Sequence, residues 1–575
     1  MRGLLTLAAL LLFPVSGTAQ EARQPEETFD VSQVRQGTAK TFMVAAAHPL
    51  AAEVGYRILK RGGTAADAAV AVQLMLNLVE PQSSGIGGGA FALYFDAATG
   101  RLSSWDGRET APLAAGPDYW LGADGTPTSW PEAVAGGRSV GVPGTLLLLE
   151  ELHRKFGNTD WAALVAPAIL QAKYGFRVSP RLAASIEAAA QFRLGDFPAA
   201  RAYFFDAEGN PLQAGHLLKN PAFAETLEAI SAKGSAAFYH GPLAAEIVAA
   251  TRNAENPGIL NMEDFTKYRV IERKPVCLTY RGADVCDMGP PSSGGLSVGQ
   301  VLGMLEAFDL AALGPVPEAY HLIAEASKLA FADRGLFMAD SDFVTMPEGL
   351  LDRSYLADRA GLIDPAKAMD KATPGNPPWK EGALRSPDLD PERAGTSHFV
   401  AVDRYGNSIS MTTTIETGFG SRLMVGGFLL NNELTDFSLA PERDGKPIAN
   451  RVEGGKRPRS SMAPTIVMRD GKPVLLTGSP GGSRIIGYTL LSLIGMLDWG
   501  MTPAEAVARG HVVNRNGGTD LEEGTEAATL AGPLGALGHE INVRNLNSGL
   551  HIIAIGDEGL SGAADPRREG FVLGD

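Results

Sequence analysis

The chain has 575 residues and a mass of 60.4 kDa, a length that predicts three or four domains at about 150 residues each. Hydrophobic residues make up 45% and charged residues 20%, which is typical of globular proteins and excludes a disordered chain or a protein with many membrane spans. The formal net charge of −15 argues against a nucleic-acid partner, because phosphate contacts need a basic surface.

The first twenty residues, Met1–Gln20, have the pattern of a secretory signal peptide. A basic residue precedes an apolar stretch from Leu4 to Phe13, and small residues follow, so we expect residues 1–19 to be removed by cleavage after Ala19. The apolar stretch is too short for a bilayer, and no later stretch reaches the ~20 apolar residues of a spanning helix. We therefore expect a periplasmic or extracellular protein without a membrane span.

Helical and strand patterns alternate along the rest of the chain and predict an α/β protein. Thr64 and Asp67 form a capping-box pattern that begins a helix ending near Pro81. A glycine-rich run at 85–89 follows this helix and precedes a strand at 91–95, the reverse of the order in dinucleotide-binding folds, so we exclude a nucleotide site there. Further helices are predicted at 49–60, 145–155, 243–253 and 318–332, and a solvent-exposed connector at 364–393.

The two cysteines, Cys277 and Cys286, flank a turn at Arg281-Gly282. A two-residue loop at that turn places them opposite each other in a non-hydrogen-bonded pair, where a disulfide can form in an oxidising compartment. Two free thiols facing the core are the other interpretation.

A second hairpin is predicted in the last third of the chain. Segments 397–402 and 408–415 alternate around a three-residue loop with glycine in its third position. Centring the turn on Tyr405 pairs Thr396 with Thr414 at the far end of the hairpin. Cross-strand threonine pairs are also common structural features, so the pairing alone does not establish chemistry.

Several well-known catalytic and metal-binding motifs are absent from the sequence. The chain lacks a G-x-S-x-G elbow, an H-E-x-x-H motif and a P-loop, and no two of its nine histidines have the spacing of metal ligands, so we expect no zinc site and no other metal or cofactor. Small polar and glycine motifs remain at 395–398, 431–438, 457–462 and 477–484.

These four motifs, with five others in the same order at 85–89, 106–112, 141–144, 290–295 and 565–568, resemble the gamma-glutamyltranspeptidase family. The resemblance implies a four-layer α-β-β-α sandwich of the N-terminal-nucleophile hydrolase type, an α/β (α+β) fold. It also implies an inactive precursor that cuts itself between Gly395 and Thr396. The products would be a large subunit, 20–395, and a small catalytic subunit, 396–575, held together as a heterodimer.

The same resemblance assigns roles within the site. Thr396 would be the nucleophile, its new α-amine would act as general base, and Thr414 would hydrogen-bond its hydroxyl. Gly481 and Gly482 would donate backbone N–H groups to the oxyanion. The remaining residues would bind the glutamyl head group, with three for the α-carboxylate and three for the α-ammonium: Arg108, Ser460 and Ser461, then Glu416, Glu433 and Asp436.

The implied activity is the cleavage of γ-glutamyl amides such as glutathione through an acyl-enzyme, with transfer to water or to an amine acceptor. A glutaryl (cephalosporin-type) acylase on the same scaffold is the alternative, but glutaryl has no α-ammonium, so Glu433 and Asp436 favour the γ-glutamyl reading. Thr396, Thr414 and the glycine pair argue against a non-catalytic binding homologue.

Two departures from the family pattern bear on the site. Glu416 stands where some members have asparagine, and the added charge should strengthen ammonium binding. The stretch 439–455, which forms a lid in some members, has no aromatic residue here, so the existence of a functional lid is open.

Overall fold

The computed structural model describes residues 33–379, 384–388 and 395–575, so the signal peptide predicted at 1–19 lies outside the described residues. Two seven-stranded antiparallel sheets pack face to face, and helices cover both outer faces. This is the expected α-β-β-α sandwich. The two sheets and their helices form one layered unit, whereas the length of the chain alone predicts three or four domains.

The fourteen strands of the two sheets come from both halves of the chain. In chain order the strands are β1 (Arg35–Ala39), β2 (Met43–Ala46), β3 (Gly89–Asp96), β4 (Arg101–Gly107), β5 (Ile271–Arg273), β6 (Val276–Tyr280), β7 (Ala283–Asp287), β8 (Thr396–Val402), β9 (Ser408–Thr414), β10 (Thr465–Arg469), β11 (Lys472–Thr477), β12 (His551–Gly556), β13 (Gly559–Ala564) and β14 (Phe571–Gly574). The first sheet has the order β14-β2-β8-β9-β3-β4-β5 and the second the order β1-β13-β12-β11-β10-β7-β6.

Short strands form small sheets outside the sandwich. They are Phe176–Arg177 with Leu217–Leu218, Met424–Val425 with Phe428–Leu429, Glu442–Arg443 with Lys446–Pro447, and Val512–Asn514 with Thr519–Glu522 and Ile541–Arg544.

The eighteen α-helices of the described residues form the outer layers. They are α1 (Pro49–Lys60), α2 (Ala65–Val79), α3 (Trp130–Ala133), α4 (Thr145–Phe156), α5 (Trp161–Tyr174), α6 (Pro180–Ala190), α7 (Pro198–Phe204), α8 (Pro221–Lys233), α9 (Ala236–Tyr239), α10 (Pro242–Arg252), α11 (Met262–Lys267), α12 (Gly294–Leu305), α13 (Leu310–Leu313), α14 (Pro317–Phe337), α15 (Arg353–Ala360), α16 (Ile485–Leu497), α17 (Pro503–Ala508) and α18 (Ala531–Ala536). None of them is both long enough and apolar enough to cross a membrane.

Strand β3 shows how the layers are specified. Phe91, Leu93 and Phe95 face the core between the two sheets. The alternate residues Ala92 and Tyr94 face the helices of the first outer layer. Successive strand residues point to opposite faces, so a strand that is covered on both sides is apolar at nearly every position.

The helix predictions are confirmed, with one instructive difference in length. Helix α1 has the predicted bounds, and Thr64 and Asp67 make both hydrogen bonds of the capping box. Helix α14 continues five residues beyond the predicted end at 332. The extension carries Asp333 and Arg334, which end the apolar pattern but are buried and hydrogen-bonded.

The cysteine hairpin is the one predicted from its turn. Arg281 and Gly282 both have positive φ, 49° and 78°, as a two-residue hairpin loop requires. Cys277 pairs with Cys286 across strands β6 and β7, and the two sulfurs are bonded. The disulfide interpretation is therefore correct, and the free-thiol interpretation is wrong.

The connector predicted at 364–393 is solvent-exposed only in part, so this expectation is wrong for several of its described residues. Ala372, Ser386 and Asp388 are buried. The Met369 N–H donates to Glu325 Oε2 on α14 at 2.8 Å. The polar, proline-rich composition suggested exposure, but buried polar side chains elsewhere in the chain bind this segment.

Candidate active site

The hairpin of β8 and β9 carries the predicted threonine pair. Thr396 and Thr414 are paired in the strand register, as the turn predicts, and the Thr396 hydroxyl donates to Thr414 Oγ1 at 3.4 Å. Both residues are buried. Residues 403–407 make the turn, closed by a hydrogen bond from Asp403 N–H to the Asn407 carbonyl at 3.0 Å.

Thr414 also contacts the residue before Thr396. Its hydroxyl donates to the Gly395 carbonyl at 2.6 Å and accepts from the Glu416 N–H at 2.8 Å. Arg568, from the predicted motif at 565–568, donates to the Thr396 carbonyl at 3.0 Å. The Thr414 side chain thus hydrogen-bonds both the hydroxyl of Thr396, the candidate nucleophile, and the carbonyl of Gly395.

The glycine-rich run at 85–89 packs against the backbone near this pair. A Cβ at Gly88 would lie 1.9 Å from the Thr414 carbonyl oxygen, and a Cβ at Gly87 would lie 2.0 Å from the Leu429 carbonyl oxygen. Only glycine allows these approaches. The run therefore supports the end of strand β9.

A pocket opens at the threonine pair and is lined by every predicted catalytic and substrate-binding residue except Gly481, while Gly395 of the predicted cleavage site does not line it. Two apolar side chains, Met462 and Ile485, complete its wall, and the predicted residues that line it are Arg108, Thr396, Thr414, Glu416, Glu433, Asp436, Ser460, Ser461 and Gly482. These residues come from five separate motifs of the sequence, and Thr414 and Glu416 come from the end of the hairpin. The fold thus brings together what the resemblance assigned to one site.

Arg108 lies among the acids of the pocket. It donates to Glu433 and, at 2.6 Å, to Asp436 Oδ2, and it also donates to the carbonyls of Pro458 and Arg459 at 3.2 and 3.0 Å. Burial raises the pKa of Glu433 above its usual range, opposed by the positive charge of Arg108.

Glu109 is a buried acid that the sequence analysis did not assign to the site. Its Oε2 lies 4.0 Å from Arg108 Nη1, and burial raises the pKa of this carboxyl above its usual range. Its position in the 106–112 motif, next to Arg108, is the signal that could have identified it.

Glu416 lines the pocket but is also held by the protein. Asn432 donates to its Oε2, and its backbone has a positive φ of 75°, which is uncommon for a residue other than glycine. The strained backbone places Glu416 just beyond the end of β9, two residues after Thr414.

The glycine pair lies where helix α16 begins. Gly481 and Gly482 have φ values of 138° and 59°, which favour glycine. Gly482 starts a 3-10 turn, Gly482–Arg484, that leads directly into α16. Backbone N–H groups at the start of a helix are suited to stabilising negative charge.

The stretch 439–455 contains a short exposed hairpin, and the residues that follow the hairpin, 448–450, are buried. Glu442–Arg443 and Lys446–Pro447 are its two strands. After the hairpin, Asn450 donates to the Asp436 carbonyl at 2.7 Å and accepts from the Arg459 N–H at 2.9 Å. This stretch therefore braces two motifs of the pocket.

One histidine cluster was not anticipated from the sequence. Within the described ranges, possible metal-ligand atoms of His321, Glu325 and His539 lie within 4.8 Å of one another, although none of these residues lines the pocket. His321 Nδ1 and His539 Nε2 are 2.8 Å apart, a hydrogen-bond distance, and Lys328 Nζ lies 2.9 Å from Glu325 Oε1. The lysine already supplies a cation to the carboxylate.

Comparison with known proteins gives both hydrolases and acylases. The chain is 37% identical over 569 residues to the glutathione hydrolase proenzyme of Bacillus subtilis (strain 168), covering 96% of this chain and 94% of that one. It is 35% identical over 549 residues to the acylase ACY 1 proenzyme of Pseudomonas sp. (strain V22), covering 93% and 94%. The crystal structure of cephalosporin acylase from Bacillus halodurans matches with a TM-score of 0.84 at 27% identity, covering 98% and 99%.

A threonine at the start of a central strand, in a sandwich of two sheets between helices, defines an N-terminal-nucleophile hydrolase. Residues 51–574 match the gamma-glutamyltranspeptidase family, and the chain belongs to that family.

Proposed function

We propose that this protein is a glutathione hydrolase and γ-glutamyltransferase that matures by cutting its own Gly395–Thr396 bond. The observation that carries the proposal is the position of Thr414, whose hydroxyl contacts both Thr396 Oγ1 and the Gly395 carbonyl oxygen. The products are a large chain, 20–395, and a small chain, 396–575, and the folded enzyme is their heterodimer.

In the maturation step, the Thr396 hydroxyl oxygen attacks the Gly395 carbonyl carbon. The Thr414 hydroxyl, 2.6 Å from the Gly395 oxygen, stabilises the negative charge that develops there. The C–N bond breaks, the Thr396 nitrogen takes a proton, and Gly395 is left as an ester on Thr396. Water then hydrolyses the ester and regenerates the threonine hydroxyl beside a free α-amine.

The catalytic cycle uses this new amine. Because α-amino groups ordinarily titrate not far above neutral pH, this amine can accept the hydroxyl proton, and Thr396 attacks the γ-glutamyl carbonyl. The N–H groups of Gly481 and Gly482 stabilise the oxyanion, a contribution typically worth about 10²–10³ in rate for one donor. The leaving amine takes the proton, and water or an acceptor amine then removes the glutamyl group.

Head-group recognition follows from the charges around the pocket. The α-carboxylate of the donor binds to Arg108 and to the hydroxyls of Ser460 and Ser461. The α-ammonium binds among Glu416, Glu433 and Asp436, where the raised pKa of Glu433 would fall again beside a positive charge. Met462 and Ile485 contact the methylene groups between the head group and the amide.

We also propose export through the N-terminal signal, with the mature protein in the periplasm or outside the cell. The disulfide between Cys277 and Cys286 supports an oxidising compartment.

Gel electrophoresis of the purified protein tests maturation. The wild type should give two bands of about 19 and about 40 kDa, since 180 of the 575 residues follow the cut and the signal peptide is lost. Thr396→Ala should stay a single inactive chain, because it has no hydroxyl to attack Gly395. A small chain that begins at any residue other than Thr396 would contradict the mechanism.

A pair of amide substrates distinguishes a γ-glutamyl hydrolase from a glutaryl acylase. The similarity to cephalosporin acylase is the reason for testing the second activity. The wild type should cleave γ-glutamyl-p-nitroanilide faster than glutaryl-p-nitroanilide, which differs only in lacking the α-amine. Glu433→Gln should slow the first reaction more than the second. Preferred cleavage of the glutaryl amide would support the acylase function.

A further inference from the structure

A buried carboxylate from the proposed large chain lies against two side chains of the proposed small chain. Asp388, seven residues before Gly395, accepts at Oδ2 from Arg459 Nη2 and from Asn450 Nδ2, each at 3.0 Å. These three residues are at most 7% exposed, and Asp388 does not line the pocket. Neither the sequence motifs nor the proposed chemistry gives Asp388 a role.

The backbone around Asp388 is docked on both chains. The Asp388 N–H donates to the Gly335 carbonyl, in helix α14, at 2.9 Å. Two residues earlier, Ser386 donates from its N–H to the Pro447 carbonyl at 3.1 Å and from Oγ to the Arg443 carbonyl at 2.7 Å. The segment that carries the carboxylate is therefore held between α14 and a hairpin of the small chain.

The first partner of Asp388 connects it to the acids of the pocket. Asn450 Nδ2 donates to Asp388 and, at 2.7 Å, to the Asp436 carbonyl, while its Oδ1 accepts from the Arg459 N–H at 2.9 Å. An amide nitrogen has two protons to donate and the amide oxygen only accepts, so these partners suit one orientation of the side chain. Asp388 thereby acts on the backbone of Asp436, one of the acids proposed to bind the α-ammonium.

The second partner connects Asp388 to the groups proposed for the α-carboxylate. The Arg459 carbonyl accepts from Arg108 Nη2 at 3.0 Å, and the next two residues, Ser460 and Ser461, line the pocket. Removing one member of a buried ion pair is strongly destabilising, because the other charge loses that compensation. Loss of the carboxylate should therefore displace Arg459, together with the backbone that supports Arg108 and the serines.

We infer that Asp388 is a positioning residue that holds both halves of the head-group site in place from the large chain. This inference rests on the proposed γ-glutamyl function and on the proposed cut. After the cut, the Asp388–Arg459 ion pair joins the two chains close in sequence to the new chain end. Asp388 acts through Asn450 and Arg459 and takes no part in the chemical step.

Steady-state cleavage of γ-glutamyl-p-nitroanilide tests this role. Asp388→Asn removes the negative charge and keeps the size of the side chain. It should raise KM and the inhibition constant of L-glutamate about tenfold, the effect of one lost hydrogen bond to a charged group. Because the positioned groups bind the head group and not the reacting amide, kcat should change less than threefold.

The matched control is Asp498→Asn. The Asp498 side chain is also buried and also accepts from an arginine and one other side chain, Arg281 Nε at 3.0 Å and Tyr280 Oη at 2.8 Å, but it does not line the pocket. This variant should leave KM within twofold of the wild-type value, even where thermal unfolding shows a loss of stability like that of Asp388→Asn. A similar rise of KM in this control would overturn the inference.

Arg459→Met breaks the same ion pair from the small chain and provides a second route. It should also raise KM about tenfold, and Asp388→Asn should add less than threefold in that background, because the guanidinium it holds is gone. An active variant of either residue with unchanged KM, or failure of both variants to mature, would overturn the inference. An uncut wild type without γ-glutamyl activity would instead overturn the proposed function.

Discussion

At the scale of single residues, Gly395, which precedes the proposed nucleophile, is tightly constrained by neighbouring backbone atoms. A Cβ at Gly395 would lie 2.1 Å from the Glu416 carbonyl oxygen and 2.6 Å from the Thr417 carbonyl carbon, both backbone atoms. Such atoms cannot rotate away as a flexible side chain would. Gly395 also contributes the carbonyl of the bond proposed to be cut, so a change in its packing should affect the cleavage reaction.

Gly395→Ala should therefore slow maturation. The added methyl group must displace the Gly395 carbonyl from Thr414, and overpacking of about 1–3 kcal/mol corresponds to a fall of about five- to a hundredfold in the cleavage rate. The measurement is the fraction of uncut precursor over time on a denaturing gel.

Gly535→Ala serves as the control for this substitution. Gly535 lies in helix α18 with nothing within 4 Å of its would-be Cβ, so alanine there should leave cleavage unchanged. If Gly395→Ala precursor matures as fast as this control, the close approach to Glu416 does not matter for the reaction.

At the scale of elements, the sequence predicted pairings within a hairpin but not contacts between elements that are far apart in the chain. The Thr396–Thr414 pairing and the cysteine pairing both follow from counting outward from a turn, since antiparallel register is fixed by loop length. Arg334 and the histidine cluster could not be found this way. Their partners come from elements far apart in the chain, and only the packing of α14 brings them together.

The cysteine hairpin yields a prediction at this scale. Strand β6 is at the edge of its sheet, where it pairs only with β7 among the labelled strands, and the disulfide between Cys277 and Cys286 links these two strands covalently. A bond that closes a loop of about ten residues contributes about 2–3 kcal/mol in the chain-entropy estimate. The double variant Cys277→Ser, Cys286→Ser should expose β6 and β7 to faster hydrogen exchange, by about ten- to a hundredfold.

Hairpin β8–β9 in the same variant is the internal reference for that experiment. It lies in the other sheet between β2 and β3, so its exchange rates should stay at the wild-type level. Exchange that accelerates equally in both hairpins would mean that the disulfide stabilises the whole molecule.

At the scale of the whole molecule, the proposed cut falls between strands that interleave. In the first sheet, β8 and β9 follow the cut, and they lie between β2 and β3, which precede it. In the second sheet, β10 pairs with β7 across the same divide. Neither chain holds a complete sheet, and the core between the sheets draws side chains from both. Cleavage therefore cannot release a folded half.

This interleaving predicts how the mature protein refolds. Under native conditions the two chains should elute together at the size of one precursor, because separating them would break ladders in both sheets. After full denaturation and dilution, the uncut Thr396→Ala chain should regain its fold in a yield that does not depend on concentration at low protein levels. The cut wild type must bring two chains together first, so its yield should be lower and should rise with concentration, since association replaces an intramolecular step. Circular dichroism and size exclusion measure both yields, and equal, concentration-independent recovery of cut and uncut protein would show that the small chain folds on its own.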